Sequence, residues 1–435
     1  MGRTFFVGGT LVDGINPPLK DMTVVVEGNR VSAVGRGTEV PEPHVQDQVF
    51  NLAGMTFMPG LFQCHLHAAM DNIHSYHDLD MKYPANYLTL IAAKNLELML
   101  KVGFTSAVGA GSPANIDVVL KYAIAAELIN GPRLYACSQH LVTTGESLDY
   151  MPSFWHSGLQ SGFGRVCDGP EEFRKAVRAA IKDGVDIVKV HATGGHGTTL
   201  SVDCMPITFE ELRAACEAAH ERGKKIRAHA ASKAGILLCA RAGVDLIDHV
   251  DCLDDECIEV FLKNGTSITP GAFIVVRTLK VMEMHERRSE DEVNAARSLS
   301  SPFFSSIAID KGEYQRALEN FRVFLPKALQ AGVNIINGDD FAAPVAPHGT
   351  YADELVSYVE DIGIPAKDVI SWATRNAARF IGESDLGVLG KGKIADLLIV
   401  KGNPVEDITL LQQRSNLVAV MKDGKFIHCQ LEACK

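Results

Sequence analysis

The run Met58-Pro59-Gly60-Leu61-Phe62-Gln63-Cys64-His65-Leu66-His67 is an apolar, strand-like segment that ends in two histidines. Residues i and i+2 of a strand point to the same face, so both imidazoles can reach one metal ion. More residues of ligand type follow later segments of the same kind: Lys189, His229, His249 and Asp340. A histidine pair at this spacing is common by chance, but the whole set at strand ends predicts a metal-dependent hydrolase site.

The middle of the chain alternates short buried-strand patterns with helical patterns such as 171–182 and 210–222. The strand candidates after His67 are 104–108, 133–137, 186–190, 225–229, 245–249, 267–270 and 334–338. Alternation of this kind predicts right-handed crossovers and a parallel sheet, and eight strands fit a closed (β/α)8 TIM barrel. An open doubly wound sheet is the rival. The barrel is favoured because the ligand-type residues follow many different strands, as barrel active sites require.

Both ends of the chain are rich in β-branched residues and hairpin turns. Residues 23–31 carry a Gly28-Asn29 turn, and residues 417–425 carry an Asp423-Gly424 turn. We therefore expect a small β-sandwich built from both termini. The predicted domains are residues 1–58 for the N-terminal part of the sandwich, 59–385 for the barrel and 386–435 for the C-terminal part.

Residues 277–314 interrupt the alternating rhythm. Their charged run, 283–292, predicts a solvated helix, and a lid over the barrel mouth is the alternative interpretation.

The bulk composition is that of a soluble globular protein of 435 residues, 46% hydrophobic and 22% charged. The net charge is −11 and no Lys/Arg-rich run occurs, so we expect neither nucleic acid nor an anionic membrane as a partner. Ten scattered cysteines form no Cys-x-x-Cys pair, which favours buried free thiols in a reducing compartment. No signal peptide or membrane-spanning run is visible, so the expected location is cytoplasmic.

The ligand-type residues divide into two candidate metal positions. His65 and His67 would hold one ion, and His229 and His249, at the ends of adjacent strands, would hold a second. A cationic Lys189 facing two ions would be repelled, and a carbamate formed with carbon dioxide would resolve this by bridging them. A lysine in a salt bridge, or a substrate-binding lysine beside a single metal, remains the alternative.

Several motifs together resemble the amidohydrolase superfamily, in particular its prolidase, imidazolonepropionase-like and ochratoxinase-like branch. The resemblance covers essentially the full length. The motifs are Met58-Pro59-Gly60-Leu61 before His65-Leu66-His67, Val188-Lys189-Val190-His191-Ala192-Thr193-Gly194-Gly195, Arg227-Ala228-His229, Ile247-Asp248-His249, Gly338-Asp339-Asp340, Pro347-His348-Gly349 and Gly390-Lys391-Gly392-Lys393-Ile394-Ala395-Asp396-Leu397.

The resemblance implies a binuclear centre, usually zinc, bridged by N6-carboxylysine at Lys189. Asp340 fits the family's catalytic aspartate two residues after a glycine, and Asp339 is the fallback. The expected reaction is attack by a metal-bound hydroxide on a C–N bond, with Asp340 taking the proton and delivering it to the leaving nitrogen.

The expected substrate contacts are less specific. His140 resembles a histidine that contacts substrate oxygen in relatives and is a candidate catalytic residue, although a buried structural histidine fits equally. His348 is a candidate for orienting the pocket. Relatives of carboxypeptidase type carry a tyrosine where this chain has Ala231, so a substrate carboxylate would need another donor, for which Arg277 is the candidate. Further loop histidines and apolar candidates for the pocket are His74, His77, His156, Phe154, Trp155, Phe163 and Phe273.

Three functions remain open. The first is hydrolysis of an N-acyl amino acid, a dipeptide or an aromatic, ochratoxin-like amide. The second is a hydrolase of cyclic amides, imidazolones, carbamates or ureas. The third is a catalytically silent binding or scaffold relative, which retention of all six site residues disfavours. A small-molecule amide is the expected partner, and relatives suggest a homo-oligomer.

Overall fold

The computed structural model of the protein describes residues 2–71, 78–150, 162–196, 198–286, 310–342 and 345–433. Five residues considered above lie outside these ranges: His74, His77, Phe154, Trp155 and His156. Most of the predicted lid, 287–309, also lies outside them, so the lid stays a prediction.

The strands are β1 (Thr4–Leu11), β2 (Leu19–Glu27), β3 (Arg30–Gly35), β4 (Gln48–Asn51), β5 (Met55–Pro59), β6 (Leu61–Leu66), β7 (Phe104–Gly109), β8 (Arg133–Tyr135), β9 (Cys137–Val142), β10 (Gly164–Val166), β11 (Ile187–His191), β12 (Lys225–Ala230), β13 (Leu246–His249), β14 (Ser267–Pro270), β15 (Leu397–Lys401), β16 (Leu417–Lys422) and β17 (Lys425–Cys429).

The α-helices are α1 (Ala85–Lys101), α2 (Ile116–Ala125), α3 (Pro170–Asp183), α4 (Phe209–His220), α5 (Lys233–Ala242), α6 (Asp255–Asn264), α7 (Ala272–Glu286), α8 (Lys311–Ala331), α9 (Ala352–Glu360), α10 (Ala366–Ser371) and α11 (Ala377–Ile381). A π-helical turn, Trp372–Asn376, joins α10 to α11.

Strands from both termini form one sheet in the order β17-β16-β15-β5-β1-β2-β3, with β4 beside β1. β15 pairs antiparallel with β5, which attaches the C-terminal hairpin to the N-terminal strands. This sheet has its own apolar core, in which the rings of Phe6 and Phe50 stack at 5.7 Å. The predicted β-rich unit shared by the two ends is therefore present as a mixed sheet.

The remaining strands are parallel, and their pairing runs in cyclic order. One sheet has the order β6-β7-β8, and another has the order β10-β9-β11-β12-β13-β14. Only Ala136 separates β8 from β9 along the chain. The bridges Ile268↔Ile335 and Leu66↔Phe341 then connect β14 through the last segment back to β6. Helices lie between successive strands and pack on them, so the predicted α/β class is confirmed.

The last strand predicted from the sequence, 334–338, is reduced to the single bridge at Ile335. Gly338 has φ +151°, which breaks the regular extended backbone. The side-chain amide of Asn337 donates to the carbonyl of Phe62 at 2.8 Å and takes the place of a ladder hydrogen bond. The segment still delivers Asp340 to the edge where the parallel strands end.

The helix ends follow local sequence signals. The α4 helix begins at a capping box in which Thr208 and Glu211 satisfy each other's backbone amides. The β12 strand follows α4. The preceding helix, α3, ends at Gly184, which adopts a left-handed conformation before β11 begins. These caps fix where each strand starts. Among the helices of the described ranges, none is long and apolar enough to cross a membrane.

Candidate metal centre

A histidine-rich cleft of about 320 Å³ opens where the parallel strands end. All six predicted ligand residues line it. The lining residues are His65, His67, His140, Leu148, Phe163, Lys189, His191, His196, Thr198, His229, His249 and Asp340. The parallel strands thus bring together residues that lie as far as 275 positions apart in the chain.

His65 and His67 converge on one carboxylate oxygen. Their Nε2 atoms lie 2.9 Å and 3.2 Å from Oδ1 of Asp340. Nδ1 of His67 is 3.0 Å from the carbonyl of Gly111, which orients the ring. Burial lowers the pKa of His65 to about 4, so its ring is neutral at pH 7, as a metal ligand must be.

Asp340 is the most accessible charged group of this cluster, with a third of its side chain exposed. Burial alone would raise the pKa of its carboxyl, but attraction and hydrogen bonds from His65 and His67 outweigh it and hold the pKa well below its usual range. Asp339 is not among the residues that line the cleft, and its oxygens accept from the amides of Ile274 and Asp340, each at 2.9 Å. Of the two carboxylates, Asp340 is therefore the one that lines the cleft.

Lys189 lies on the floor of the cleft and is 1% exposed. Its ammonium donates to the carboxylate of Asp248, which Arg227 holds from the other side at 3.0 Å and 2.5 Å. Burial lowers the pKa of the Lys189 amine despite the attraction of Asp248. In the unmodified chain the lysine therefore makes the salt bridge that was one of the alternatives.

His229 and His249 close the other side of the cleft. Their ring centroids are 4.5 Å apart, and Nε2 of His249 lies 3.9 Å from Oδ2 of Asp340. Burial lowers the pKa of both imidazoles well below the ordinary value, so both are neutral. The predicted second pair is thus adjacent to the first and shares Asp340 with it.

Two further histidines of the cleft were not among the predicted site residues. His191 follows Lys189 by two positions in β11, stacks on His229 at 4.5 Å and is held through Nδ1 by Glu146 at 3.0 Å. The i, i+2 rule used for the first histidine pair would have identified it. His196 lies in the glycine-rich loop after β11, and no periodic signal marks it.

His140 lies in the wall of the cleft against Phe163, with ring centroids 4.2 Å apart. Neither of its buried ring nitrogens has a hydrogen-bond partner within the described part of the chain. Gly111 leaves room for this ring, since a Cβ there would lie 1.8 Å from Nε2 of His140. This placement makes His140 available to a substrate.

The other two predicted substrate contacts lie away from the cleft lining. Both ring nitrogens of His348 are engaged, at 2.8 Å from the Tyr351 hydroxyl and 2.7 Å from the Met70 carbonyl. Arg277, on α7, donates to the carbonyl of Val345 at 3.2 Å. This geometry suits support of neighbouring loops, and substrate binding by either residue stays a prediction.

The donor atoms around the cleft fit a divalent metal centre. Several buried imidazole nitrogens lack any hydrogen-bond partner in the described ranges: His65 Nδ1, His229 Nε2, His249 Nδ1 and His196 Nε2. A buried polar atom without a partner costs about 1–3 kcal/mol, and a bound ligand removes that cost. Imidazole nitrogens and an ionised carboxylate are the donors that zinc and similar ions take.

Comparison with known proteins agrees with this geometry. The chain matches the Amidohydrolase family over residues 56–427. It is 28% identical to the ochratoxinase of Aspergillus niger over 97% of this chain and 86% of that protein. A crystal structure of a Xaa-Pro dipeptidase with bound methionine in the active site superposes with a TM-score of 0.83 at 28% identity, covering 98% of this chain and 100% of the other. The crystal structure of an amidohydrolase superposes with a TM-score of 0.84 at 26% identity, over 99% and 100% of the two chains.

The protein belongs to the amidohydrolase family, because the family match spans most of the chain. It is a hydrolase that acts on carbon–nitrogen bonds. The predicted membership in this superfamily is confirmed.

Proposed function

We propose that the protein is a binuclear, metal-dependent amidohydrolase that cuts an amide or peptide-like bond. The observation that carries this is the convergence of His65, His67 and His249 on Asp340, in a cleft that His229 also lines. Their imidazole nitrogens, together with the carboxylate of Asp340, are suited to bind two divalent ions, for which zinc is our assignment.

In this proposal His65 and His67 hold one ion and His229 and His249 hold the other. Lys189, as N6-carboxylysine, would supply a carboxylate ligand to both. The lowered pKa of the buried Lys189 amine supports this, because only the neutral amine reacts with carbon dioxide. The carbamate would carry a negative charge in the neighbourhood of the Asp248 carboxylate. Arg227, which pairs with Asp248, compensates part of the charge of that carboxylate.

When bound, two such ions would lower the pKa of a water molecule towards neutrality and polarise the scissile carbonyl. Asp340 accepts the proton of the attacking water, since its carboxyl is ionised and partly exposed to the cleft. The same carboxyl then delivers the proton to the leaving nitrogen. His140 donates a hydrogen bond to the substrate oxygen from the opposite wall.

The cleft wall favours a substrate with an apolar part. Phe163 and Leu148 line it beside His140, and Ala231 offers no side-chain hydrogen bond to a carboxylate. We propose an N-acyl amino acid, a dipeptide or an aromatic amide as the substrate, with an ochratoxin-like amide included because of the similarity to ochratoxinase.

The finer structural assignments belong to the same proposal. The cyclic order of parallel pairing supports a (β/α)8 barrel at 59–385, and residues 1–58 and 386–435 would complete a β-sandwich. A cytoplasmic homo-oligomer that uses neither nucleic acid nor a membrane as partner remains our expectation.

The test is a hydrolysis panel of N-acyl amino acids, dipeptides and aryl amides, run beside elemental analysis of the purified protein. We expect about two zinc ions per chain, and a loss of activity and of metal in Lys189→Ala. Lys367→Ala, which changes an exposed lysine of α10, is the matched control and should keep both. If the Lys189→Ala protein hydrolysed every substrate of the wild-type protein at the wild-type rate, the proposal would be refuted.

A further inference from the structure

His196 and His249 form a close imidazole pair in the wall of the cleft. Their rings stack with centroids 3.9 Å apart and planes inclined by 25°. His196 is 7% exposed and His249 2%. Each ring keeps a buried nitrogen with no hydrogen-bond partner in the described ranges, Nε2 of His196 and Nδ1 of His249. A polar atom buried in this way is stabilised by a hydrogen-bond partner or by a metal ion.

Two carboxylates face the same point. Nε2 of His196 lies 3.9 Å from Oδ1 of Asp339 and 3.9 Å from Oδ2 of Asp340. One donor atom from each of these residues and from His249 lies within 4.8 Å of all the others. Two ligands on one zinc ion, with bonds of about 2.0–2.2 Å, can be up to about 4 Å apart, so a small inward shift closes the set.

The remaining nitrogen of His196 is held in the manner of metal-binding histidines. Its Nδ1 lies 3.1 Å from Oδ2 of Asp251, which orients Nε2 towards Asp340. A carboxylate behind the ring fixes the tautomer and makes the outer nitrogen a better ligand. Gly271 provides the space, because a Cβ there would lie 2.3 Å from Cε1 of His196 and 3.0 Å from Nδ1 of His249.

We propose that His196 is an additional ligand of the ion held by His249, supplied by the loop after β11 and positioned by Asp251. The inference rests on the proposed metal centre. With this extra nitrogen, the second ion is held more tightly and keeps fewer open positions than the ion at His65 and His67.

The experiment uses the full chain, stripped with a chelator and titrated with cobalt(II) chloride. The visible absorption of bound cobalt reports the number and type of its ligands, and competition with the chelator gives the affinity of each equivalent. The variants are His196→Ala, His196→Gln, which keeps a polar side chain of similar reach, and Asp251→Asn. The control is His220→Ala, because His220 is also paired through one ring nitrogen with an aspartate, Asp245 at 2.9 Å, but lies outside the cleft lining.

We expect His196→Ala to lower the affinity for one of the two cobalt equivalents by about tenfold or more and to shift the visible absorption of that cobalt. Asp251→Asn should lower the same affinity by about 10–100-fold at most. His220→Ala should match the wild-type protein. Two equivalents that keep their affinity and spectrum in all three cleft variants would overturn the inference and leave the metal centre intact. A wild-type chain that binds no cobalt would overturn the metal centre as well.

Discussion

Arg227 and Asp248 form a two-point ion pair in the interior, and neither side chain has measurable exposure. Nε and Nη2 of the guanidinium lie 3.0 Å and 2.5 Å from the two carboxylate oxygens. The third nitrogen, Nη1, donates to the carbonyls of Cys64 and Gly109, which ties β12 to β6 and β7. Lys189 donates to the same carboxylate, so the buried ion pair supports the floor of the metal cleft.

Arg227→Met should strongly destabilise the fold. It leaves the buried carboxylate of Asp248 without its main counter-ion, and such a loss costs about 3–5 kcal/mol. Urea unfolding measures the change. Arg241→Met is the control, because Arg241 and Glu256 pair at 2.9 Å with about half of each side chain exposed, and such pairs contribute under about 1 kcal/mol. Equal losses in the two variants would contradict a structural role for the buried pair.

Asp340→Asn and Asp339→Asn should separate activity from stability. An asparagine at 340 cannot take a proton, so kcat should fall by about 10²–10⁴-fold while the fold is retained. Asp339→Asn places an amide donor against the backbone amides of Ile274 and Asp340 and should lower the free energy of unfolding instead. Steady-state kinetics and urea unfolding of both variants measure this. A larger loss of kcat in a stable Asp339→Asn protein would transfer the catalytic role to Asp339.

Gly111→Ala should impair substrate turnover more than Gly145→Ala does. Both glycines have positive φ, +146° and +80°, so both substitutions strain the backbone. Only at Gly111 would the new Cβ meet a cleft residue, since it would lie 1.8 Å from Nε2 of His140, and nothing lies within 4 Å of a Cβ at Gly145. We expect kcat/KM to fall further in Gly111→Ala at comparable thermal stability. The same kcat/KM in both variants would argue against a substrate contact by His140.

His220→Gln should destabilise the protein in a pH-dependent way. The hydrogen bond and charge of Asp245 raise the pKa of His220 above 6.5 despite partial burial. The folded state therefore binds this proton more tightly than the unfolded chain, and the stabilisation is complete below about pH 6.5 and disappears as the pH rises through the folded pKa. The pair is nearly half exposed, so the difference should be under about 1 kcal/mol. Urea unfolding at pH 5.5 and at pH 9 measures it. If the loss of stability in His220→Gln grew with pH, the raised pKa of His220 would be contradicted.

Most of the metal cluster could be predicted because its residues follow regular strands. The i, i+2 spacing of His65 and His67 fixes a common face whatever the rest of the fold does. Lys189, His229 and His249 each belong to a buried apolar strand, and parallel strands end at a common edge. The alternating order of strands and helices along the chain therefore implied that these side chains lie close together.

What could not be predicted depends on loops and tertiary contacts. His196 and its partner Asp251 lie in different loops, and only the folded chain brings them to 3.1 Å. Glu146 reaches His191 from a third loop in the same way. His348 has the sequence context of a pocket residue, but its hydrogen bonds to Tyr351 and to a backbone carbonyl engage both ring nitrogens. Such pairings leave no periodic trace in a single sequence.

The most direct measurement is hydrolysis of the best substrate by chelator-treated protein, followed by stepwise return of zinc(II) in bicarbonate buffer. The account predicts that activity disappears on metal removal and returns in proportion to bound zinc, reaching its maximum near two ions per chain. Full activity in protein shown by elemental analysis to be free of metal would contradict the account at its centre.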